Sequence, residues 1–178
     1  MLVRRWGEAL FRDDLTELPG LDDLADPEGP IRASQEATAF RLGAASAHYL
    51  VQGTTSGLVA LLLAYARAAG CRRAVLPRSS HRSLAGAAVL AGLEPLFVPV
   101  RVEGGLPCGP DLAALEKVLA RASGNGEPRA VVCDTYPNAY GVCHDLATVA
   151  RMAHAHGLPL VVDGAHGGLC GLDPALPP

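Results

Sequence analysis

A chain of 178 residues, 49% hydrophobic and 19% charged, can bury a sizeable core, which excludes a disordered tail. Fifteen basic residues against 18 acidic ones leave a formal charge of −3, so no global basic surface points to nucleic acid. The five cysteines (Cys71, Cys108, Cys133, Cys143, Cys170) stand singly, which argues against a disulfide framework or structural zinc site and fits a reducing cytoplasm. Charge arrives too early for a signal peptide, and the longest apolar run, residues 58–66, is far short of the about 20 residues a membrane span needs. The basic residues are nearly all arginine, and Lys117 is the only lysine.

Residues 1–31 read as an acidic, loop-like lead-in punctuated by Pro19-Gly20, Asp26-Pro27 and Gly29-Pro30. A helix is predicted over 32–42 and a short apolar strand over 47–51 (AHYLV), then a turn at Gly53 and a helix to 69. A strand over 73–76, a helix over 81–91 and a strand over 95–100 follow. The helix over 111–122 carries apolar residues at 112, 115, 118 and 119, which leaves Lys117 off the stripe as a solvated surface residue. Strands over 130–133 and 158–162 flank a helix over 146–156. Short Val/Leu-rich strands alternating with helices call for an α/β fold, a mostly parallel sheet with helices on both faces. Ligands of such sheets collect at the carboxyl ends of the strands.

Four groups stand at those ends. Gln52-Gly53-Thr54-Thr55-Ser56-Gly57 offers small residues and hydroxyls at a helix start, which suits a phosphate; an ordinary helix capped by Thr or Ser is the plainer account of the motif read alone. It is neither a Walker loop nor a G-x-G-x-x-G fingerprint. His81, in Arg78-Ser79-Ser80-His81-Arg82-Ser83, could stack on a planar ligand or move a proton, or be an N-terminal-turn histidine. Asp163, in Val162-Asp163-Gly164-Ala165-His166, follows an apolar strand, where a carboxylate needs a cation or hydrogen-bond donors. A protonated pyridine nitrogen would serve, and a helix N-cap is the plainer alternative. Asp163 and His166 lack a third ligand at metal spacing, so no metal site is expected. In Asp134-Thr135-Tyr136-Pro137-Asn138-Ala139-Tyr140-Gly141, Asn and Tyr could reach a ring hydroxyl or substrate, or simply build a turn. A phosphate cradle, a ring stacker and a buried acid on different strand ends are together the parts of a pyridoxal-phosphate (PLP) pocket.

The segments DLTELPGLDDL (14–24), DPEGPI (26–31), GTTSG, SSHRS, YPNAYGVCHDL and VVDGAH occur in the order in which similar segments occur in the bacterial ornithine/lysine/arginine decarboxylases. The chain resembles that family, of the aspartate-aminotransferase fold, over nearly its whole length. The resemblance implies PLP as cofactor, with Thr54, Thr55 and Ser56 holding its phosphate, Thr55 and Ser56 foremost. It places His81 on one face of the ring and Ala165 on the other, Asp163 at the ring nitrogen, and His166 near the substrate and ring oxygen. The substrate implied is a basic amino acid, decarboxylated to a diamine or agmatine, by a cytoplasmic homo-oligomer. Residues 32–178 are then a partial PLP-binding large domain. The family commonly reads Asp-Glu-Ala-His where this chain has Asp163-Gly164-Ala165-His166, and its Schiff-base lysine follows a Ser-x-His-Lys stretch that this chain does not contain. The expectation is a truncated decarboxylase without turnover of its own. The rivals are a non-catalytic binding remnant and a PLP aminotransferase or lyase of the same fold.

Overall fold

The computed structural model describes residues 2–12, 20–123, 130–168, 170, 172–173 and 175–176, so positions 13–19 of the lead-in lie outside the described residues. The chain forms two compact units, residues 1–51 and 52–178. The first contains helices α1 (Leu2–Trp6), α2 (Glu8–Arg12) and α3 (Pro30–Leu42). Pro30 opens α3, a position where its missing N–H costs nothing. The N-cap, Gly29, has no side chain to offer, and Asp22 supplies the acceptor from upstream. Its carboxylate accepts from the amides of Glu28 (2.8 Å), Gly29 (2.9 Å), Ile31 (2.7 Å) and Arg32 (3.3 Å).

Desolvation works against the charged form of Asp22, but these four amides together outweigh it and hold the carboxyl below its ordinary value. A depressed carboxyl stabilises the fold above its unfolded pKa and stops doing so as pH falls through the folded one. The start of α3 is therefore expected to loosen as solution is acidified below the ordinary aspartate range. Asp22→Asn should loosen it at neutral pH, read as faster amide exchange at residues 28–32.

The run 47–51, predicted as a strand, forms none. Leu50 and Val51 are 57% and 80% exposed, and no described strand pairs with them. An apolar run of five residues fixes neither strand nor burial unless a partner edge is at hand.

The second unit runs α4 (Gly53–Ala68), β1 (Arg73–Pro77), α5 (Arg82–Leu90), β2 (Glu94–Val98), β3 (Val100–Glu103), β4 (Leu106–Pro110), α6 (Leu112–Ala122), β5 (Ala130–Thr135), α7 (Leu146–Ala155) and β6 (Leu160–Asp163). Four strands form one parallel sheet in the order β2-β1-β5-β6. Alternate residues of each strand face opposite sides. Ala74, Leu76, Val131, Cys133 and Val161 pack against Leu58 and Leu62 of α4 and Leu84, Ala87 and Ala88 of α5. Val75, Val98, Ala130 and Val132 pack against Leu115, Leu119 and Ala122 of α6 and Val149 and Ala153 of α7. Helices thus cover both faces, as the alternation predicts. On α6 the buried stripe is 115, 119 and 122, whereas Leu112, predicted to be inside, is exposed; Lys117 is exposed as expected.

The antiparallel hairpin β3–β4 was not among the predicted elements. Its signal is Gly104-Gly105, both at positive φ (58° and 83°), flanked by Val100 and Val102. No helix among the described residues is long and apolar enough to cross a membrane.

Cys71 and Cys133 lie in the α4/α5 core, and burial, with the nearby Asp134 charge and Cys71 adding to it, pushes the Cys133 thiol up to about 12. Only the thiolate attacks an alkylating reagent. Native protein at pH 8 should therefore label at the half-buried Cys108, Cys143 and Cys170, with Cys71 and Cys133 reacting only after unfolding. Mass spectrometry of iodoacetamide-treated protein checks this.

Candidate functional site at the strand ends

From β1 the chain crosses through α5 to β2 on one side, while β5 lies on the other side of β1 and continues through α7 to β6. The carboxyl ends of β1 and β5 therefore flank the topological switch point, where open α/β sheets leave a crevice. Two of the predicted residues are brought together there. Thr135, the last residue of β5 and 3% exposed, sits in register with Asp163, the last residue of β6. Its Oγ1 accepts a 2.9 Å bond from the His81 amide, arriving from the end of β1. Tyr136 N donates to Asp163 O at 3.0 Å, extending the ladder by one step.

Asp163 is 3% exposed. Its Oδ1 accepts a 3.2 Å bond from Ala165 N, and no cationic side chain among the described residues pairs with it. No described helix starts after it, so the N-cap alternative does not hold. A buried carboxylate without a cation is a costly arrangement that a positively charged ligand atom would relieve. Ala165 and His166 are exposed in the following turn, and His166 makes no hydrogen bond among the described residues.

His81 is the N-cap of α5, its side chain accepting from Ser83 N at 3.3 Å and lying 2.7 Å from Ser83 Oγ. The N-terminal-turn alternative thus describes its local geometry, while the ring remains exposed at the switch point. Earlier in the same β1–α5 segment, the Arg78 guanidinium lies over the Phe97 ring at 4.7 Å.

Helix α4 packs on the sheet and joins β1 through four residues, 69–72, so it runs back along the strand and begins at the carboxyl edge. Gly53 opens it at φ 74°, a conformation L side chains rarely adopt. The N-cap is Gln52, with no side-chain cap bond, so neither threonine nor serine caps this helix. Thr54 and Thr55 are exposed in the first turn, and Ser56 Oγ donates back to Gln52 O at 3.1 Å. The first-turn amides are thus left without a side-chain acceptor, the arrangement that suits an anion. No hydrogen bond links this turn to His81 or Asp163 among the described residues.

The end of β5 and the loop after it hold residues that the sequence did not single out. Asp134 and His144, 1% and 5% exposed at their side chains, form a 2.9 Å contact from His144 Nε2 to Asp134 Oδ2. Asp134 Oδ1 accepts from Thr135 N at 2.8 Å. The Tyr136 ring meets His144 edge-on at 5.4 Å, and burial with a hydrogen bond to Cys143 raises the Tyr136 hydroxyl above its ordinary pKa. Asn138, for which the sequence leaves ligand contact and turn-building open, is 2% exposed. Its Oδ1 accepts from Tyr140 N (2.9 Å) and Val142 N (3.1 Å), and its Nδ2 donates to Pro107 O (2.8 Å). With its amide consumed, Asn138 builds the turn and does not face a ligand.

Solved structures of similar fold include mouse CSAD in apo form (TM-score 0.65, 20% identity, covering 82% of this chain and 33% of that one). Another is the PLP-bound C-S lyase from Staphylococcus hominis (TM-score 0.58, 15% identity, 87% and 39%). At those identities the likeness is one of fold alone, and the class it defines is an α/β domain with a mostly parallel sheet, shared with a PLP-bound enzyme. Within that class the chain belongs to the Orn/Lys/Arg decarboxylase family, whose major domain matches residues 1–177. Similar proteins of Bacillus subtilis (strain 168) are the uncharacterized protein YaaO, 33% identical over 162 residues, and an arginine decarboxylase, 29% identical over 163. Each alignment covers 90% of this chain and 32% of the relative, so the chain spans about a third of their length.

Proposed function

We propose that this chain forms the PLP-binding part of an enzyme that removes the α-carboxylate of ornithine, lysine or arginine. The observation that carries the reading is Asp163, buried at the edge of the switch-point crevice with no cation beside it among the described residues. The donor set fits the cofactor. Asp163 would face the protonated ring nitrogen, and the first turn of α4, with Thr54, Thr55 and Ser56, would hold the phosphate. His81 would lie against one face of the ring and Ala165 against the other, with His166 near the substrate. When bound, PLP supplies an electron sink for the bond broken at the substrate α-carbon. What these residues add is orientation and a fixed charge at the ring nitrogen. A homo-oligomer in a reducing cytoplasm completes the reading.

The test is a product assay on the longer polypeptide that contains this chain, with each basic amino acid in turn. Amine with CO₂ supports the proposal; keto acid would move the activity to an aminotransferase of the same fold. A second reading, a binding module without catalysis, is favoured by the position of Lys117. The chain's one lysine is exposed midway along α6, away from the strand ends. The 178-residue chain alone is therefore expected to release no CO₂ above background from any of the three substrates, measured with carboxyl-labelled amino acid. Release above background would overturn that expectation.

A further inference from the structure

We infer that Thr135 and Ser83 are positioning residues that hold His81 as a neutral ring protonated at Nε2, a flat platform and donor rather than a base. The inference rests on the proposed PLP site for its use, but its geometry stands without it. Two bonds fix the residue from opposite sides. The His81 amide donates to Thr135 Oγ1 at 2.9 Å, pinning the end of the β1 loop to the end of β5 across 54 positions of sequence. Thr135 is 3% exposed, so water competes poorly for that acceptor.

The second bond fixes the ring. Nδ1 accepts from the Ser83 amide at 3.3 Å, and Ser83 Oγ is 2.7 Å away, with Ser83 itself buried. An amide N–H can only donate, so the nitrogen it meets carries the lone pair and the other nitrogen the proton. The Ser83 hydroxyl then donates to Nδ1 as well. With Nδ1 engaged at the helix start and Nε2 already protonated, His81 has no free ring lone pair. It can lie against a planar ligand and donate through Nε2–H, and it cannot take a proton from substrate while the cap is intact. This separates the two roles the sequence left open for His81.

The experiment uses the 178-residue chain labelled with ¹⁵N-histidine, His81 being assigned by its loss in His81→Gln. Without PLP, the wild-type His81 ring should show the Nε2–H pattern in long-range ¹H–¹⁵N spectra, and Ser83→Ala should shift it towards a mixture of tautomers. Thr135→Val keeps the shape and removes the acceptor. It should speed exchange of the His81 amide and weaken PLP binding, each about tenfold, the size of one lost hydrogen bond. Thr135→Ser should restore both, and circular dichroism confirms that each variant is folded. An Nδ1–H ring in the wild type, or Thr135→Val binding PLP as tightly as wild type, would overturn the inference. Wild type that binds no PLP sinks the proposed function instead, and the tautomer and exchange measurements then still decide the clamp.

Discussion

Replacing His144 with alanine is expected to cost the second unit about 3–5 kcal/mol of unfolding free energy, as when one partner of a buried pair is removed. The Asp134 carboxylate would be left 1% exposed with only the Thr135 amide to hold its charge. Asp134→Ala should cost less, about 1–3 kcal/mol, because what remains is an unsatisfied neutral ring rather than a stranded charge. His144 Nδ1 already has no hydrogen-bond partner among the described residues in its buried position. The pair is tightly seated: a Cβ at Gly109, whose φ is 95°, would stand 2.6 Å from His144 Cγ. Gly109→Ala should therefore destabilise through the same ring. Replacing both members with apolar residues, Asp134→Leu with His144→Phe, should recover most of the loss, since a buried pair is seldom better than well-packed apolar atoms. Urea unfolding followed by far-ultraviolet circular dichroism measures all four. Single variants within about 0.5 kcal/mol of wild type would show that the pair contributes nothing.

That pair also marks the limit of what the sequence discloses. The sheet was legible because parallel strands covered on both faces read as apolar runs between helices, and five of the predicted helices and four of the strands occur. The same logic failed at residues 47–51, where an equally apolar run has no strand beside it. Periodicity reports which side chains avoid water and says nothing about whether a pairing edge exists. Asp163 could be singled out because it directly follows an apolar run read as a strand, and His81 because it stands in the short segment between a strand and the next helix. Thr135 stood in a quoted motif, but its bond to His81 joins strands far apart in sequence. Asp134 and His144 are ten positions apart across a turn that Asn138 closes, and neither carries a motif that would announce the other. Asn138 shows which of two open alternatives holds, a polar residue that could have reached a ligand or built a turn and whose amide is spent on backbone.

The two buried carboxylates, one strand apart, should respond oppositely to neutralisation. Asp134 already has its partner, whereas Asp163 has only the Ala165 amide. Asp163→Asn keeps the shape and an oxygen to accept that amide while removing a charge that nothing nearby balances. The ligand-free chain is therefore expected to be as stable as wild type or more so, because an unpaired buried charge is a cost of the site and not a support of the fold. PLP affinity should move the other way. A hydrogen bond to a charged group contributes about 1.5–3 kcal/mol, so losing it should weaken binding roughly ten- to hundredfold. Unfolding in urea without PLP and titration followed by PLP absorbance read the two effects on one protein. Equal PLP affinity in wild type and Asp163→Asn would remove Asp163 from the site. Lower stability with unchanged affinity would make it a structural residue of the turn, and the case for a cofactor at this switch point would lose its main support.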